Sequence, residues 1–290
     1  MSKNKNYIPV NTMADDFSRG ISIERNSIQK SDLTNSHQLE ESAQSHRDEG
    51  YTFHILERGD VVIEIDFRLY NVTAPAVVYL HPSQVHRILN FENVSVCSLS
   101  VDSENLNSVY LKILEEITPA IPLSLTDENC SVLLDCFELC INFYKQKNNK
   151  LYQPLLKDSC NTLTAYLLSQ FLNQHKSEDY FSRFEKITKS FKTLLEKNFC
   201  MLKRPSEYAD LLNISTPYLN QCIKNTTGMP VSQLIHERIV LEAKRLLYHT
   251  DKSVKEIAFD LGYADYPYFT RLFRKSTGFS ALTFRNKSYE

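Results

Sequence analysis

The sequence predicts an α+β chain: a small β-barrel with helices behind it, then an all-α unit of two helix-turn-helix copies joined by a long helix. Three observations predict this. Apolar residues alternate with period two from about Tyr51 to Val101. The period becomes helical after Val101. The last third of the chain contains a repeat whose copies lie 50 residues apart.

Length and charge narrow the function classes. The 290 residues allow two domains, each able to bury its own core. The 33 basic and 35 acidic residues leave a net charge of −2, but the halves differ. Phe181–Glu290 holds 18 Lys and Arg against 11 Asp and Glu, a balance of +7; the remainder holds 15 against 24, a balance of −9. A basic module fused to an acidic one suits a polyanion binder with a separate sensing or assembly domain. The start, Met1 to Asn6, has no apolar core behind it, so no signal peptide is expected, and no run is long enough to span a bilayer. The expected location is cytoplasmic, on the nucleoid. Seven cysteines (Cys97, Cys130, Cys136, Cys140, Cys160, Cys200 and Cys222) form no CxxC, so reduced, buried thiols are expected. Cys136 and Cys140, one helical turn apart, are the pair that a redox or metal role would use.

Residues 1–45 are polar and weakly patterned. They either supply an edge strand around Ile21–Ile23 or stay outside the folded unit. Residues 46–101 read as the barrel. Tyr51–Glu57 is a strand, Gly59-Asp60 a turn, and Asp60–Phe67 a strand with Val61, Ile63, Ile65 and Phe67 on one face. Strands Arg68–Thr73, Ala76–His81, Val85–Asn90 and Val94–Val101 follow. Residues 102–178 are helical. Leu106, Val109, Tyr110, Ile113, Leu114 and Ile117 make one stripe, ended by Pro119 and Pro122. A second helix spans about Asp127–Lys147 and carries Val132, Leu133, Cys136, Leu139, Cys140 and Phe143 on one face. A third spans about Pro154–Gln174 with Leu155, Leu156, Leu163, Tyr166, Leu167 and Phe171. The polar run His175–Asp179 is the expected hinge.

Residues 179–290 form the basic unit, opened by a helix over Phe181–Phe199. Its two copies cover about 205–228 and 253–278. Pro217, Tyr218, Thr227 and Gly228 recur as Pro267, Tyr268, Thr277 and Gly278. Each copy is helix, turn, helix. Asn213 or Gly262 stops the first helix; Ser215 or Asp265 caps the second, with proline in its first turn. Leu219 with Ile223 and Phe269 with Phe273 are core pairs. The opposite faces carry Thr216, Pro217, Asn220, Gln221 and Lys224, then Tyr266, Pro267, Thr270, Arg271, Arg274 and Lys275. Those donors and cations suit base edges and phosphates. The helix over 230–250 between the copies is a strut of ~27–30 Å, close to the ~34 Å turn of B-DNA.

The run Ser253-Val-Lys-Glu-Ile-Ala-Phe-Asp-Leu-Gly-Tyr263, followed by Tyr268-Phe-Thr-Arg-Leu-Phe-Arg-Lys-Ser-Thr-Gly278, resembles the signature of AraC-type transcriptional regulators. The resemblance covers roughly the last 110 residues. It implies a sequence-specific regulator, an activator, that lays two recognition helices in successive major grooves of double-stranded DNA and works with RNA polymerase. Asn220 and Gln221 would favour adenine edges and Arg271 a guanine, with Lys224, Arg274 and Lys275 on phosphates and Tyr266 on a thymine methyl or sugar. The helices of 102–178 would pair two subunits as a homodimer.

More loosely, the run from His46-Arg-Asp to Pro82-Ser-Gln-Val-His86 resembles the cupin-like sensor barrel found in front of such domains. It implies a small-molecule effector, with His46, Tyr51 and His86 as the pocket candidates. Metal-binding cupins use histidines and a glutamate, and His46, His54, Glu57, His81 and His86 are the residues to weigh. But no His-x-His lies near His46, and His54 and Glu57 point to opposite faces of their strand. The expectation is therefore no metal, no cofactor and no enzymatic activity. Two alternatives need other chemistry: a metal-dependent cupin enzyme with a DNA-binding tail, or a DNA-repair alkyl acceptor, which requires an activated cysteine cluster.

Overall fold

The computed structural model describes residues 7–12, 20–28, 44–117, 120–174 and 183–287. The chain divides into two compact units, one over Pro9–Lys176 and one formed chiefly by Ser177–Glu290.

In the first unit, β1 (Val10–Asn11) pairs in parallel with β3 (Arg47–Asp48). A six-stranded antiparallel sheet runs in the order β2 (Ile21–Ile28), β7 (His86–Val101), β4 (Tyr51–Ile65), β6 (Ala76–Leu80), β8 (Leu123–Ser124), with β5 (Arg68–Thr73) paired to β4. All five residues of β6 are buried, because both faces of the sheet are covered there. Val77 and Tyr79 join Phe53, Ile55 and Leu99 in one cluster, while Ala76, Val78 and Leu80 join Leu56, Ile63, Ile65 and Val72 in another. The first cluster is closed by α1 (Ser108–Ile117), α2 (Asp127–Lys145) and α3 (Tyr152–Gln174) through Leu114, Leu133, Phe137, Leu156, Leu163 and Leu167. Thr126 caps α2 by accepting from the Asn129 N–H, and Asp127 and Glu128 complement its N-terminal dipole. Arg25 of β2 fastens the sheet to this helix, bonding Glu57 at 2.8 Å and Glu138.

The structure corrects the strand boundaries. Gly59-Asp60 is not a turn: β4 runs through it, and the positive φ of Gly59 (88°) lies in a stretch of register shifts against β7. A Cβ on Gly59 would lie 2.3 Å from the Glu92 carbonyl oxygen. The reversal comes at Asp66-Phe67, both with positive φ (49° and 66°), between β4 and β5. Two left-handed residues match the right-handed twist of the flanking strands, so Phe67 sits in the turn and not on the core face. The two strands expected over 85–101 are one, with Asn93 (φ 48°) facing the Gly59 bulge. The expected barrel is, among the described residues, a sheet with free edges at β2 and β8. β2 comes from the segment before residue 45, and its Ile21 and Ile23 are core residues. The expected hinge over His175–Asp179 lies outside the described residues.

The second unit is all helical: α4 (Arg183–Asn198), α5 (Pro205–Leu211), α6 (Thr216–Thr227), α7 (Val231–His249), α8 (Val254–Asp260), α9 (Tyr266–Thr277) and α10 (Ala281–Lys287). One core joins them through Phe191, Tyr208, Leu219, Ile223, Ile235, Ile239, Ala243, Ile257, Phe269 and Phe273. Charge enters this core along α7. Arg245 is 1% exposed and bonds Glu242 at 2.7 Å; Glu242 also accepts from Arg238, and the Arg238 Nε donates to Glu196 of α4 at 2.8 Å.

Two glycines with the same left-handed backbone allow a test of close packing. A Cβ on Gly262 (φ 77°) would lie 1.9 Å from the Cys200 carbonyl oxygen, whereas one on Gly228 (φ 75°) would meet nothing within 4 Å. Gly228→Ala should therefore cost only the ~1–2 kcal/mol of a left-handed L-residue. Gly262→Ala should cost that plus the displacement of a backbone segment, beyond ~3 kcal/mol. Urea unfolding followed at the helical circular-dichroism band measures both.

Candidate nucleic-acid interface

The two copies of the repeat have the same local chemistry. Ser215 accepts from the Tyr218 N–H at 3.4 Å and Asp265 from the Tyr268 N–H at 3.1 Å, so each recognition helix starts at a side-chain cap. Each ends on a left-handed glycine, Gly228 or Gly278. Before each glycine a threonine hydroxyl donates to the carbonyl four residues back: Thr227 to Ile223 at 2.7 Å, Thr277 to Phe273 at 2.9 Å. The entries differ. Glu256 and Ser253 form a capping box on α8, while Glu207 on α5 accepts from the Lys203 and Arg204 N–H groups.

One face of each helix is buried: Leu219, Cys222 and Ile223 on α6, Phe269, Leu272 and Phe273 on α9. The other is open. Pro217, Gln221 and Lys224 are exposed on α6, as are Tyr266, Pro267, Arg271, Arg274 and Lys275 on α9; Thr216, Asn220 and Thr270 are half-buried. Among the described residues, Lys224, Arg271, Arg274 and Lys275 form no ion pair, so their charge is available to a polyanion. Lys275 bears on His236 of α7, whose pKa is held below the ordinary value first by burial and then by this charge.

Asn220 is engaged inside the unit. Its carboxamide oxygen accepts from the Val231 N–H at 3.3 Å and its NH2 donates to the Thr216 carbonyl at 3.2 Å. It ties the helix to the first turn of α7, which engages its oxygen and one of its two amide N–H donors, the groups a bidentate adenine contact would use. Thr270, its equivalent, donates to the Pro267 carbonyl at 3.0 Å. The outward pair is Gln221 and Arg271, one position later in each copy. Arg285 also escaped the sequence reading. From α10 its guanidinium donates to the Leu247 and Lys252 carbonyls, at 3.0 and 2.6 Å, at the C-terminal end of α7. A basic residue near a helix end is the signal that marks such a role.

The effector candidates of the first unit divide. His46 and His86 meet edge to face, with ring centroids 4.3 Å apart. Tyr51 belongs to another constellation: its hydroxyl donates to Glu115 at 2.8 Å, and its ring meets His81 edge-on. The cause is the strand period. Tyr51, Phe53 and Ile55 face the helices, while Thr52 and His54 face the other side, where they bond Ser100 and Ser98. Burial, and then Glu115, push the Tyr51 hydroxyl pKa up. Burial pushes the His86 pKa down to about 4, against the pull of Asp48.

Residues 208–287 match the family described as a helix-turn-helix domain. The chain is 32% identical over 94 residues to the bifunctional transcriptional activator and DNA repair enzyme AdaA of Bacillus subtilis, covering 32% of this chain and 44% of that one. It is 33% identical over 91 residues to the transcriptional activator RhaS of Escherichia fergusonii, covering 31% and 33%. Residues 208–287 are a helix-turn-helix domain similar to those of transcription regulators. Among solved structures, the C-terminal domain of AraT, a response regulator from Geobacillus stearothermophilus, matches with 30% identity and a TM-score of 0.34, covering 37% of this chain and 88% of that one. The chain spans less than half the length of the two curated relatives. Among the described residues, no helix is long and apolar enough to cross a membrane.

In this helix-turn-helix domain, neighbouring residues of α6 should separate bracing from reading. Asn220→Ala removes a half-buried bond and should cost ~1 kcal/mol of stability. Gln221→Ala should stay within ~0.5 kcal/mol of the parent and lower affinity for the specific site alone. Thermal melts paired with DNA titrations check both.

Proposed function

We propose that the chain is a sequence-specific transcription regulator, an activator, that grips double-stranded DNA with α6 and α9 in two successive major grooves. The observation that carries this reading is the duplicated motif: two capped helices of the same register, each with a bare polar or cationic face, on either side of a long helix. The 19 residues of α7 give a strut of ~28 Å, near the ~34 Å between successive grooves. One chain thus does what single-motif proteins need a dimer to do. Because the two reading faces differ, the site need not be a palindrome. Gln221 and Arg271 read base edges; Lys224, Arg274 and Lys275 hold phosphates; Pro217, Tyr266 and Pro267 make van der Waals contact.

The first unit serves as the sensor, gated by a small molecule or a protein, and the complex acts on RNA polymerase in the cytoplasm. The role is regulatory and not enzymatic, as the name of RhaS supports; AdaA is also named a repair enzyme, and the likeness to it covers 44% of that protein. Homodimerisation through α1–α3 is supported by Val109, Val132, Leu139, Leu151 and Leu172, apolar residues left exposed on these helices and beside them. Sedimentation of the full chain at micromolar concentration should show a dimer, and Leu139→Glu with Val132→Glu should return it to monomer. A parent chain that stays monomeric with and without cell extract would overturn this assembly.

Reading and gripping separate on α9. A bidentate arginine–guanine contact is worth ~1–3 kcal/mol against the wrong base, and each phosphate contact adds about 0.9 to the slope of log affinity against log salt. Arg271→Ala should weaken the specific site, relax preference at one or two base pairs and spare scrambled DNA. Lys275→Ala should weaken all sequences alike and flatten the salt dependence. Titration of both variants on specific and scrambled duplexes at several salt concentrations is the test. An equal loss on both duplexes for Arg271→Ala would make that residue a phosphate clamp.

A further inference from the structure

His46 and His86 are bridged across two antiparallel segments: each N–H donates to the other's carbonyl at 3.0 Å. Such a mutually bonded pair holds its Cα atoms about 5.5 Å apart with both side chains on one face. Asp48 lies two residues beyond His46 in extended chain, so the period of two returns it to that face. The consequence is a His–Asp–His cluster whose donor atoms all lie within 4.8 Å of one another. His46 is 7% and His86 5% exposed.

No hydrogen bond joins the three side chains. His46 Nε2 is 3.8 Å from one Asp48 oxygen, and His86 Nε2 is 3.7 Å from the other. Both distances exceed hydrogen-bond length. Two donors each ~2.1 Å from one ion stand at most ~4.2 Å apart, so both separations suit a shared cation. The tautomers suit it too. His46 Nδ1 is 2.7 Å from the Gln44 carbonyl, which can only accept, so the proton is on Nδ1 and the Nε2 lone pair faces the cluster. An outer carbonyl that holds a ligand imidazole in this way is the usual support of a metal site. His86 Nδ1 makes no well-formed hydrogen bond, although the ring is buried. His54, bonded through Nδ1 to Ser98 at 2.8 Å, is near enough to influence His86.

We propose that His46, Asp48 and His86 bind a divalent first-row transition-metal ion in the first unit. Two imidazoles and one carboxylate favour manganese, iron, cobalt, nickel or zinc over magnesium and calcium, which prefer all-oxygen sets. The histidines are buried, and a neutral imidazole is the form that ligates. The proposal goes beyond the DNA-binding reading and does not rest on it.

The test is a titration of the full chain, freed of metal by chelation, with cobalt(II), read by its ligand-field absorption and by competition with zinc. Saturable bands at about one equivalent, displaced by zinc and untouched by excess magnesium, are expected. Asp48→Asn should weaken binding by at least the ~10–100-fold that even outer-shell changes cost. His86→Gln should act likewise, and His81→Gln, in the constellation on the helix side, should have no effect. Metal should also raise the melting temperature of the parent and not that of Asp48→Asn, a readout that remains if His86→Gln fails to fold. Absence of saturable cobalt bands, or equal binding by Asp48→Asn, would overturn the proposal. DNA titration of the same preparations keeps a failure here distinct from a failure of the regulator reading.

Discussion

The arrangement of the second unit depends on charge buried in α7. Removing an arginine and a glutamate from water costs several kcal/mol per ion, and their attraction offsets that only when geometry and further hydrogen bonds are good. Here one carboxylate, Glu242, accepts from two guanidiniums, at 3.2 Å from Arg238 and 2.7 Å from Arg245. Arg238 in turn reaches Glu196 on α4 and lies 3.9 Å over the Phe199 ring. An apolar seam along α7 alone would tolerate sliding by a turn against α4. The Arg238–Glu196 bond, which crosses from α7 to α4, does not. In the proposed DNA-binding mode register matters because α7 spaces the two recognition helices, so a slip in it would move one reading face off its groove.

The repeat shows how one backbone solution carries two chemistries. Caps, left-handed glycines and threonine back-bonds agree between the copies, and these fix where each helix starts and stops. The side chains they present do not agree. The first copy spends Asn220 on its junction with α7 and presents an uncharged Gln221. The second presents Arg271, Arg274 and Lys275 together. In the proposed DNA-binding mode the second copy is the stronger electrostatic anchor, and the first adds reach and discrimination. Association led by α9 follows, since unpaired charge acts over a Debye length of ~8–10 Å while amide contacts act only on touching.

Much of this was legible in the chain, and the exceptions have physical causes. Helix ends were legible because caps and left-handed stops are chemistry local to a few residues: Ser215, Asp265, Gly262. The role of Asn220 was not, because its partner, the Val231 N–H, lies beyond a turn that the helical period does not describe. Strand ends in the first unit failed at Gly59, since a glycine with positive φ reads alike as a turn or a bulge. What decides between them is the close approach of the Glu92 carbonyl, 33 positions away. Asp66-Phe67 lacked a turn signal because phenylalanine rarely accepts positive φ. Tyr51 was grouped with His46 and His86 as what the looser resemblance implies, and the strand period separates them.

That period also explains why Asp48 was passed over. A search for two histidines in alternate positions near residue 46 finds none, and the cluster looks incomplete. Alternation selects positions and not residue types, however. Any donor two residues beyond His46 reaches the same face, and a carboxylate there meets the two rings as readily as an imidazole would. The residue across the bridge, His86, is fixed by pairing and not by spacing, so the 39 residues between the histidines place no limit on their meeting. The same rule sends Tyr51 to the helix side of the sheet, where its hydroxyl and the His81 imidazole both meet the carboxylate of Glu115 on α1. One sheet thus keeps two polar constellations apart on its two faces, and a ligand taken up by one need not displace the other.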